Sequence, residues 1–171
     1  MNVKFLNPFV EAAYQVLQAE TRLTVSRGEL NLDKEPYSTD DITIIISLVG
    51  QVMGNVIYSL NNQTAIALAS RMMEEDLKSL SALAQSSIAE LANVITGRAS
   101  VLLAQAGYES VISPPTFLMG KGAIISTLDF ARLIVPLHCE IGSLTIHLAL
   151  REGSQKVITQ GSTVVANRFT L

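Results

Sequence analysis

Two polar side chains near the middle of the sequence could together do chemistry on a partner molecule. Glu90 and Asn93 are three residues apart within a long, largely apolar segment, so in a helix they project about one turn apart on the same side. A carboxylate in such a place can pair with a cation and fix the register of a partner, while an amide can hold a water molecule by hydrogen bonds. Such a pair needs no general base of its own if the bond to be broken is already labile. We therefore take Glu90 and Asn93 as the candidate catalytic residues.

The element that must carry this pair is a helix predicted over residues 79–107. Its apolar residues recur at spacings of three and four, the pattern of a helix with one face in a core. The residues of this stripe are Ala84, Ile88, Leu91, Ile95, Ala99 and Leu102. Ser86 and Gly97 fall with the polar pair on the opposite face. Glycine inside a helix costs about 1 kcal/mol relative to alanine, which favours a face that another surface approaches closely; a solvated face that merely contains glutamate and asparagine is the alternative.

Other arrangements of catalytic residues find little support in the sequence. His138 and Cys139 are neighbours in a predicted strand, so their side chains point to opposite faces, and His147 in an alternating strand is more typical of a packed residue. Two histidines and one cysteine cannot form a zinc site of the usual kind. No glycine-rich phosphate loop is present, and the Gly-Lys-Gly of residues 120–122 is interpreted as a turn. We expect no metal and no cofactor to be bound by this chain.

Composition limits the class of protein. The chain has 171 residues, of which 49% are hydrophobic and 16% charged, and a formal net charge of −3. Its basic residues are spread along the chain, which argues against nucleic acid as a partner. The N-terminus has no signal-type apolar run, and the longest apolar stretch, residues 42–50, is shorter than the roughly 20 residues of a spanning helix. With a single cysteine there is no internal disulfide, and we expect a cytoplasmic protein without membrane contact.

Helices and strands alternate along the chain. Asn7 and Pro8 predict a helix start, as N-cap and first helical residue, and this helix runs to about Glu20. Strand segments are predicted next at 23–32, 42–49 and 54–60. A second helix follows at 65–75, capped by residues 61–64. After the long helix, strand segments are predicted at 108–112, 116–119, 123–136 and 139–150. This order predicts an α/β protein of the α+β type: two pseudo-symmetric halves that form a mostly antiparallel six-stranded sheet with long helices packed on it.

The predicted domain occupies residues 1–150. Residues 151–171 are polar and rich in Ser, Thr and Gly, and are expected to form an added hairpin or a tail that a partner orders.

A resemblance to a known family rests on several of these segments. The S-x-x-x-E-x-x-N pattern of residues 86–93, followed by Gly97 and by the Ser-Pro-Pro corner of residues 113–115, resembles the signature of the CheC/CheX/FliY family of chemotaxis phosphatases. The resemblance extends over about residues 2–150 and includes NPFVEAAYQVL, GNVIYSL and ISPPTFLMGKG. With one E-x-x-N site, the chain is similar to the CheX pattern rather than the two-site CheC pattern. Ala92 stands where the family often has glycine, at a position that the helix pattern turns toward the core.

The resemblance implies a CheC-like fold and a phosphatase of phosphorylated CheY-like receiver domains, usually a homodimer with one site per chain. Glu90 would pair with the receiver's active-site lysine, and Asn93 would orient the hydrolytic water at the aspartyl phosphate. The receiver would supply the aspartate and the Mg²⁺. Since an acyl phosphate is labile, placing a water in line with phosphorus is the main requirement. Ser86, Gly97 and Pro115 match motif positions with a structural role.

Two other functions remain open at this point. A non-catalytic CheC-like binding module or scaffold would dock on a response regulator or a flagellar switch component without hydrolysis. A purely structural dimer, with the long helix at the subunit contact, would bury the face that carries Glu90.

Overall fold

The fold is that of a computed structural model, which describes residues 3–127 and 131–154. After a 3-10 turn at Val3–Phe5 the helices are α1 (Leu6–Thr21), α2 (Asn62–Met73) and α3 (Ala82–Gln105). The strands are β1 (Ser26–Arg27), β2 (Asn31–Asp33), β3 (Tyr37–Ser38), β4 (Ile42–Gly50), β5 (Val52–Leu60), β6 (Ser110–Ile112), β7 (Thr116–Met119), β8 (Ile124–Ile125), β9 (Arg132–Cys139) and β10 (Gly142–Glu152).

The main sheet has eight strands in the order β1-β9-β10-β5-β4-β6, with β2 also paired to β9 and β7 to β4. Its pairings are antiparallel throughout the described residues, and β3 and β8 form a separate two-stranded sheet. The predicted class, a mostly antiparallel sheet with helices packed on it, is confirmed. The strand count differs from six because short strands extend both edges of the sheet.

Two related halves meet at the centre of this sheet. The first half supplies α1, β1, β2, β4 and β5, and the second supplies α3, β6, β7, β9 and β10. The central pair is β5 with β10, and each long hairpin receives its outer strands from the other half: β6 and β7 lie on β4, while β1 and β2 lie on β9. This exchange ties the two halves into one sheet.

The core lies between one face of the sheet and the helices. Inward positions alternate along β4 and β10, where α3 packs on β4 and α2 packs on β10; α1 joins the same core through α3 and α2. The buried strand residues at these positions are Ile42, Ile44, Ile46, Leu48, Leu144, Ile146, Leu148 and Leu150. One face of α1 is buried as well, at Phe9, Ala12, Ala13, Val16 and Leu17.

The start of α1 differs from the prediction. The helix begins at Leu6, and its N-cap residue Phe5 makes no side-chain cap bond, so Asn7 is not the cap and Pro8 is the third helical residue. Proline is tolerated there because the first-turn amides have no helical acceptor. Phe5 is fully buried and meets Tyr108 edge to face, with ring centroids 5.4 Å apart. Burying this apolar residue sets the helix start in preference to side-chain capping.

Several predicted strand limits were also wrong. The strand expected at 23–32 is divided into β1 and β2, and β3 lies between the predicted strands 23–32 and 42–49. The division follows from close packing, since a side chain at Gly28 would come within 2.6 Å of His138 Nε2. The last hairpin turns at residues 140–141, so β9 includes Cys139 and β10 continues to Glu152. The hairpin or tail predicted for residues 151–171 lies mostly outside the described residues, and a separate C-terminal extension stays a prediction.

Candidate active site

The candidate site is built on α3, whose limits are set by local capping. Ser81 is the N-cap, and its side chain accepts a hydrogen bond from the backbone N–H of Ala84 at 3.3 Å. The helix runs for 24 residues, about 36 Å, and the chain leaves it through Gly107 at a φ of 88°. The predicted helix is therefore confirmed with two to three residues removed from each end. It is a long and rigid support for side chains at its middle.

The inner face of α3 holds it in place. Five of the six predicted stripe residues are buried, while Leu102 is half-buried and Leu103 takes its place in the core. Leu102 projects about 20° and Leu103 about 80° from the centre of the predicted stripe, yet at the end of the helix Leu103 is the residue that is fully buried. Ala92 is buried, as its position on the helix predicted.

A buried hydrogen bond adds to this anchoring. Thr96 Oγ1 and the Tyr58 hydroxyl are 2.7 Å apart, and the threonine hydroxyl also donates to the Ala92 carbonyl at 2.8 Å. Burial raises the pKa of Tyr58 well above its usual range, so the phenol stays protonated and hydrogen-bonded. Strand β5 is thus tied to α3 one turn from Asn93.

Glu90 and Asn93 lie together on the outer side of α3. Glu90 is exposed and Asn93 is half-buried, and the Asn93 Nδ2 donates to Glu90 Oε2 at 3.4 Å, which is long for a hydrogen bond. With Nδ2 turned toward Glu90, the Asn93 Oδ1 accepts no hydrogen bond from residues 3–127 and 131–154. The pair therefore presents one carboxylate oxygen and one amide oxygen to an incoming molecule. The structure brings these two predicted residues together.

Ser86 and Gly97 flank the pair without contacting it. The Ser86 hydroxyl donates back to the Ala82 carbonyl at 3.0 Å, so it is used within the helix. A Cβ built on Gly97 would meet only Ile112 Cδ1 of β6, at 3.9 Å, an ordinary contact distance. The described part of the chain gives no steric reason for glycine at this position. The close approach expected at Gly97 would therefore have to come from the surface of another molecule.

Pro115 belongs to the corner between β6 and β7. Both strands pair with β4, and the corner between them is fixed by Ser113: its N–H donates to the Ser47 carbonyl at 2.9 Å, and its Oγ accepts from the Ser47 N–H at 3.0 Å. Proline has no N–H to pair with β4, which suits such a break in an edge strand. The corner directly follows Ile112, the residue beside Gly97, and the structural role of Pro115 stays a prediction.

The helix of the first half has no comparable pair. Glu11 is exposed on α1, but three residues later stands Tyr14. Glu11 instead accepts a hydrogen bond from Gln15 Nε2 at 3.0 Å, and Gln15 Oε1 accepts from Arg98 Nε of α3 at 3.1 Å. The carboxylate and amide pair therefore occurs on one of these two long helices.

A buried polar cluster on the other face of the sheet was not predicted. His147 is 6% exposed, and its Nε2 lies 3.1 Å from Ser59 Oγ, while its ring stacks at a tilt on Tyr37, 4.7 Å between centroids. Arg132 pairs with Asp33 at 2.6 Å. Burial, and then the charge of Arg132, lowers the pKa of His147 to about 4, although Asp33 opposes the shift. These residues come from segments that are far apart in the sequence. The one signal of the cluster was the place of His147 in an alternating strand, which is typical of a packed residue.

The remaining candidates carry no evident chemistry. Ser59 and His147 resemble a nucleophile and base, but both are buried, so a substrate cannot reach them. His138 Nδ1 contacts Ser143 Oγ at 2.8 Å, and Cys139 Sγ contacts the Gly142 carbonyl at 3.3 Å, so the two are not paired with each other. No group of three His, Cys, Asp or Glu side chains that could hold a metal ion occurs among the described residues.

Comparison with known proteins adds independent information. The family model for "Chemotaxis phosphatase CheX" matches residues 42–138. A curated relative, the CheY-P phosphatase CheX of Thermotoga maritima, is 24% identical over 157 residues, which are 90% of this chain and 99% of that protein.

Solved structures share the fold. A CheC-like superfamily protein from Shewanella sp. PV-4 is 27% identical with a TM-score of 0.80, over 88% of this chain and 99% of that one. CheX of Borrelia burgdorferi, solved in a complex with CheY, BeF3 and Mg²⁺, is 23% identical with a TM-score of 0.71, over 88% of this chain and all of that one (100%). FliY of Thermotoga maritima is more distant, with a TM-score of 0.62 at 14% identity over 85% and 86% of the two chains.

Proposed function

This chain belongs to the CheX family of chemotaxis phosphatases, and we propose that it accelerates hydrolysis of the aspartyl phosphate on a CheY-type receiver domain by inserting Glu90 and Asn93 into the receiver's active site. The observation that carries the proposal is the exposed carboxylate of Glu90 beside the half-buried amide of Asn93 on the outer side of α3. The named activity of the Thermotoga maritima relative and the partner in the Borrelia burgdorferi complex support the choice of substrate.

Asn93 positions the attacking water. With its Nδ2 turned toward Glu90, its Oδ1 accepts a hydrogen bond from a water O–H and directs the oxygen lone pair at phosphorus. The water oxygen then bonds to phosphorus as the bond from phosphorus to the aspartate oxygen breaks. The aspartate leaves as a carboxylate, and the water proton goes to the released phosphate. The amide gains and loses no proton, which fits a group of this kind.

Glu90 fixes the register of the complex. Its free carboxylate oxygen pairs with the receiver's active-site lysine in a charge-assisted hydrogen bond, while the other oxygen keeps the Asn93 amide in orientation. The receiver contributes the aspartate and the Mg²⁺, and this chain contributes no cofactor. We further propose a cytoplasmic homodimer with one such site per chain.

The proposal is tested with a panel of phosphorylated receiver domains mixed with the wild-type protein and with Glu90→Ala. The wild type should speed phosphate loss from at least one receiver, and Glu90→Ala should raise KM at least tenfold, since truncating one partner of an interfacial charge pair typically costs 2 kcal/mol or more, as an order of magnitude. Glu11→Ala, an exposed glutamate on α1, is the matched control and should behave as wild type. Phosphate loss at the intrinsic rate from every receiver would refute the proposal and favour a binding module.

A further inference from the structure

The outer face of α3 is apolar well beyond the Glu90–Asn93 pair. Whereas α1 and α2 are clearly amphipathic, α3 has much less contrast between its two faces. It is long and apolar enough to cross a membrane by length and composition alone, yet only 39% of its most apolar 18-residue window is buried. Leu83, Val94 and Val101 account for much of the apolar exposure, at 66%, 38% and 49% of their surfaces.

These three side chains form one line with Glu90. At about 100° per residue, Leu83, Glu90, Val94 and Val101 project within about 40° of one another, and the line is about 27 Å long. We call Leu83, Val94 and Val101 the outer stripe. Single exposed apolar residues are common on protein surfaces, but three in line with a candidate catalytic carboxylate mark a surface for association.

The charges along the stripe decide what covers it. A membrane is disfavoured because Glu90 stands within the stripe and would be costly in hydrocarbon. A second copy packed antiparallel on the stripe is disfavoured as well, because the midpoint falls at residue 92 and would bring the two Glu90 carboxylates within about 6 Å along the axis. Arg98, the nearest cation on the helix, already bonds to Gln15. The stripe therefore suits a different molecule that supplies both a cation and an apolar surface.

We propose that the outer stripe is the docking surface for the receiver domain, and that it seats an apolar patch beside the phosphorylated aspartate. This inference rests on the proposed function. The three side chains set KM and the choice among receivers by burying apolar area, whereas Asn93 acts on the water. The division predicts that binding and turnover are changed by different residues of the same helix face.

The test compares two double variants with the same chemical change. Val94→Ser/Val101→Ser lies on the stripe, whereas Val49→Ser/Val111→Ser removes two valines that are 55% and 57% exposed on the sheet edge. Serine and valine have similar helix propensities, so the stripe variant should fold. With the receiver that wild type dephosphorylates fastest, the stripe variant should raise KM about tenfold with kcat within twofold, and the sheet variant should change neither. Val94→Thr/Val101→Thr, nearly the same in shape, should raise KM by a smaller factor.

The outcomes separate the two proposals. An unchanged KM in both stripe variants, with active wild type and inactive Asn93→Ala, would overturn the stripe and leave the phosphatase mechanism standing. Failure of wild type to act on any receiver would instead refute the proposed function and the inference with it. Light scattering that shows a dimeric wild type and a monomeric stripe variant would also overturn the inference, because the stripe would then be covered by a second copy.

Discussion

At the scale of single residues, the hydrogen bond between Tyr58 and Thr96 shows how the site face is supported from beneath. Both side chains are fully buried or nearly so, and their 2.7 Å contact joins β5 to the part of α3 that carries Asn93. Removing one partner leaves the other buried and unsatisfied, whereas removing both does not.

Thr96→Val should therefore lower the free energy of unfolding by about 1–3 kcal/mol, because the Tyr58 hydroxyl loses its partner. The double variant Tyr58→Phe/Thr96→Val should recover most of this loss. Urea unfolding of the two single variants and the double variant measures the coupling. Strictly additive losses would show that the contact contributes nothing to the link between sheet and helix.

At the scale of the element, Gly97 makes the role of α3 testable. A helix interior favours alanine over glycine by about 1 kcal/mol, and a methyl group at this position would meet Ile112 only at 3.9 Å. The free chain should therefore be more stable with alanine, and any reason to keep glycine must come from a bound partner.

Gly97→Ala should raise the free energy of unfolding by up to about 1 kcal/mol and should raise KM for the phosphorylated receiver. Thermal melting gives the first quantity, and steady-state phosphate release gives the second. Ala104→Gly, an exposed position near the end of the same helix, is the reverse control and should destabilise without changing KM. If Gly97→Ala leaves KM unchanged, no surface approaches the helix closely there.

The sequence predicted α3 well because the helix period is a local property. The spacing from Ala84 to Ala99 fixed both the buried stripe and the outward direction of Glu90 and Asn93, and each lies as expected. Local patterns could not predict the break between β1 and β2, because it depends on pairing with β9, about a hundred residues away. Nor could local patterns predict Phe5 as the residue that starts α1, because its burial depends on contact with Tyr108, about a hundred residues away.

At the scale of the whole molecule, the two-stranded sheet of β3 and β8 lies with Tyr37 against His147. The groups that face this histidine are Ser59, Tyr37, Arg132 and Asp33. Its Nδ1 is buried without a hydrogen-bond partner in the described part of the chain. A proton on the ring would therefore lie beside the Arg132 guanidinium, and the folded state resists it.

This arrangement predicts that the free energy of unfolding decreases as the pH is lowered. Since the pKa of His147 is lowered from 6.5 to about 4 in the folded protein, the unfolded chain binds more protons between these values and stability decreases as the pH falls through this range. The loss between pH 7 and pH 5 should be about 2 kcal/mol. The backbone N–H of Asn62 lowers the pKa of Asp41 below 3.8, so that carboxyl adds its own loss only at lower pH.

Urea unfolding at several pH values tests this for His147→Gln and for His138→Gln, the other histidine of the chain. His147→Gln should remove most of the slope between pH 7 and pH 5, and His138→Gln should keep it. A slope unchanged in His147→Gln would place the titrating group elsewhere in the fold.

The whole-molecule architecture could be predicted in class but not in detail. Alternation along the strands and the repeated order of elements indicated two halves in one antiparallel sheet, and β5 beside β10 at its centre confirms this. The exchange of outer strands and the buried cluster around Arg132 and His147 join residues from distant segments. No periodicity along the chain reports on such contacts.

The central claim is that the Asn93 amide positions the water. Its most direct test mixes a phosphorylated receiver with a saturating excess of Asn93→Ala and measures binding and phosphate loss on the same samples. We predict that the variant binds the receiver within about threefold of wild type, while the accelerated rate falls by about a hundredfold or more toward the intrinsic rate of the receiver. Acceleration that persists at the wild-type rate with Asn93→Ala fully bound would contradict the account.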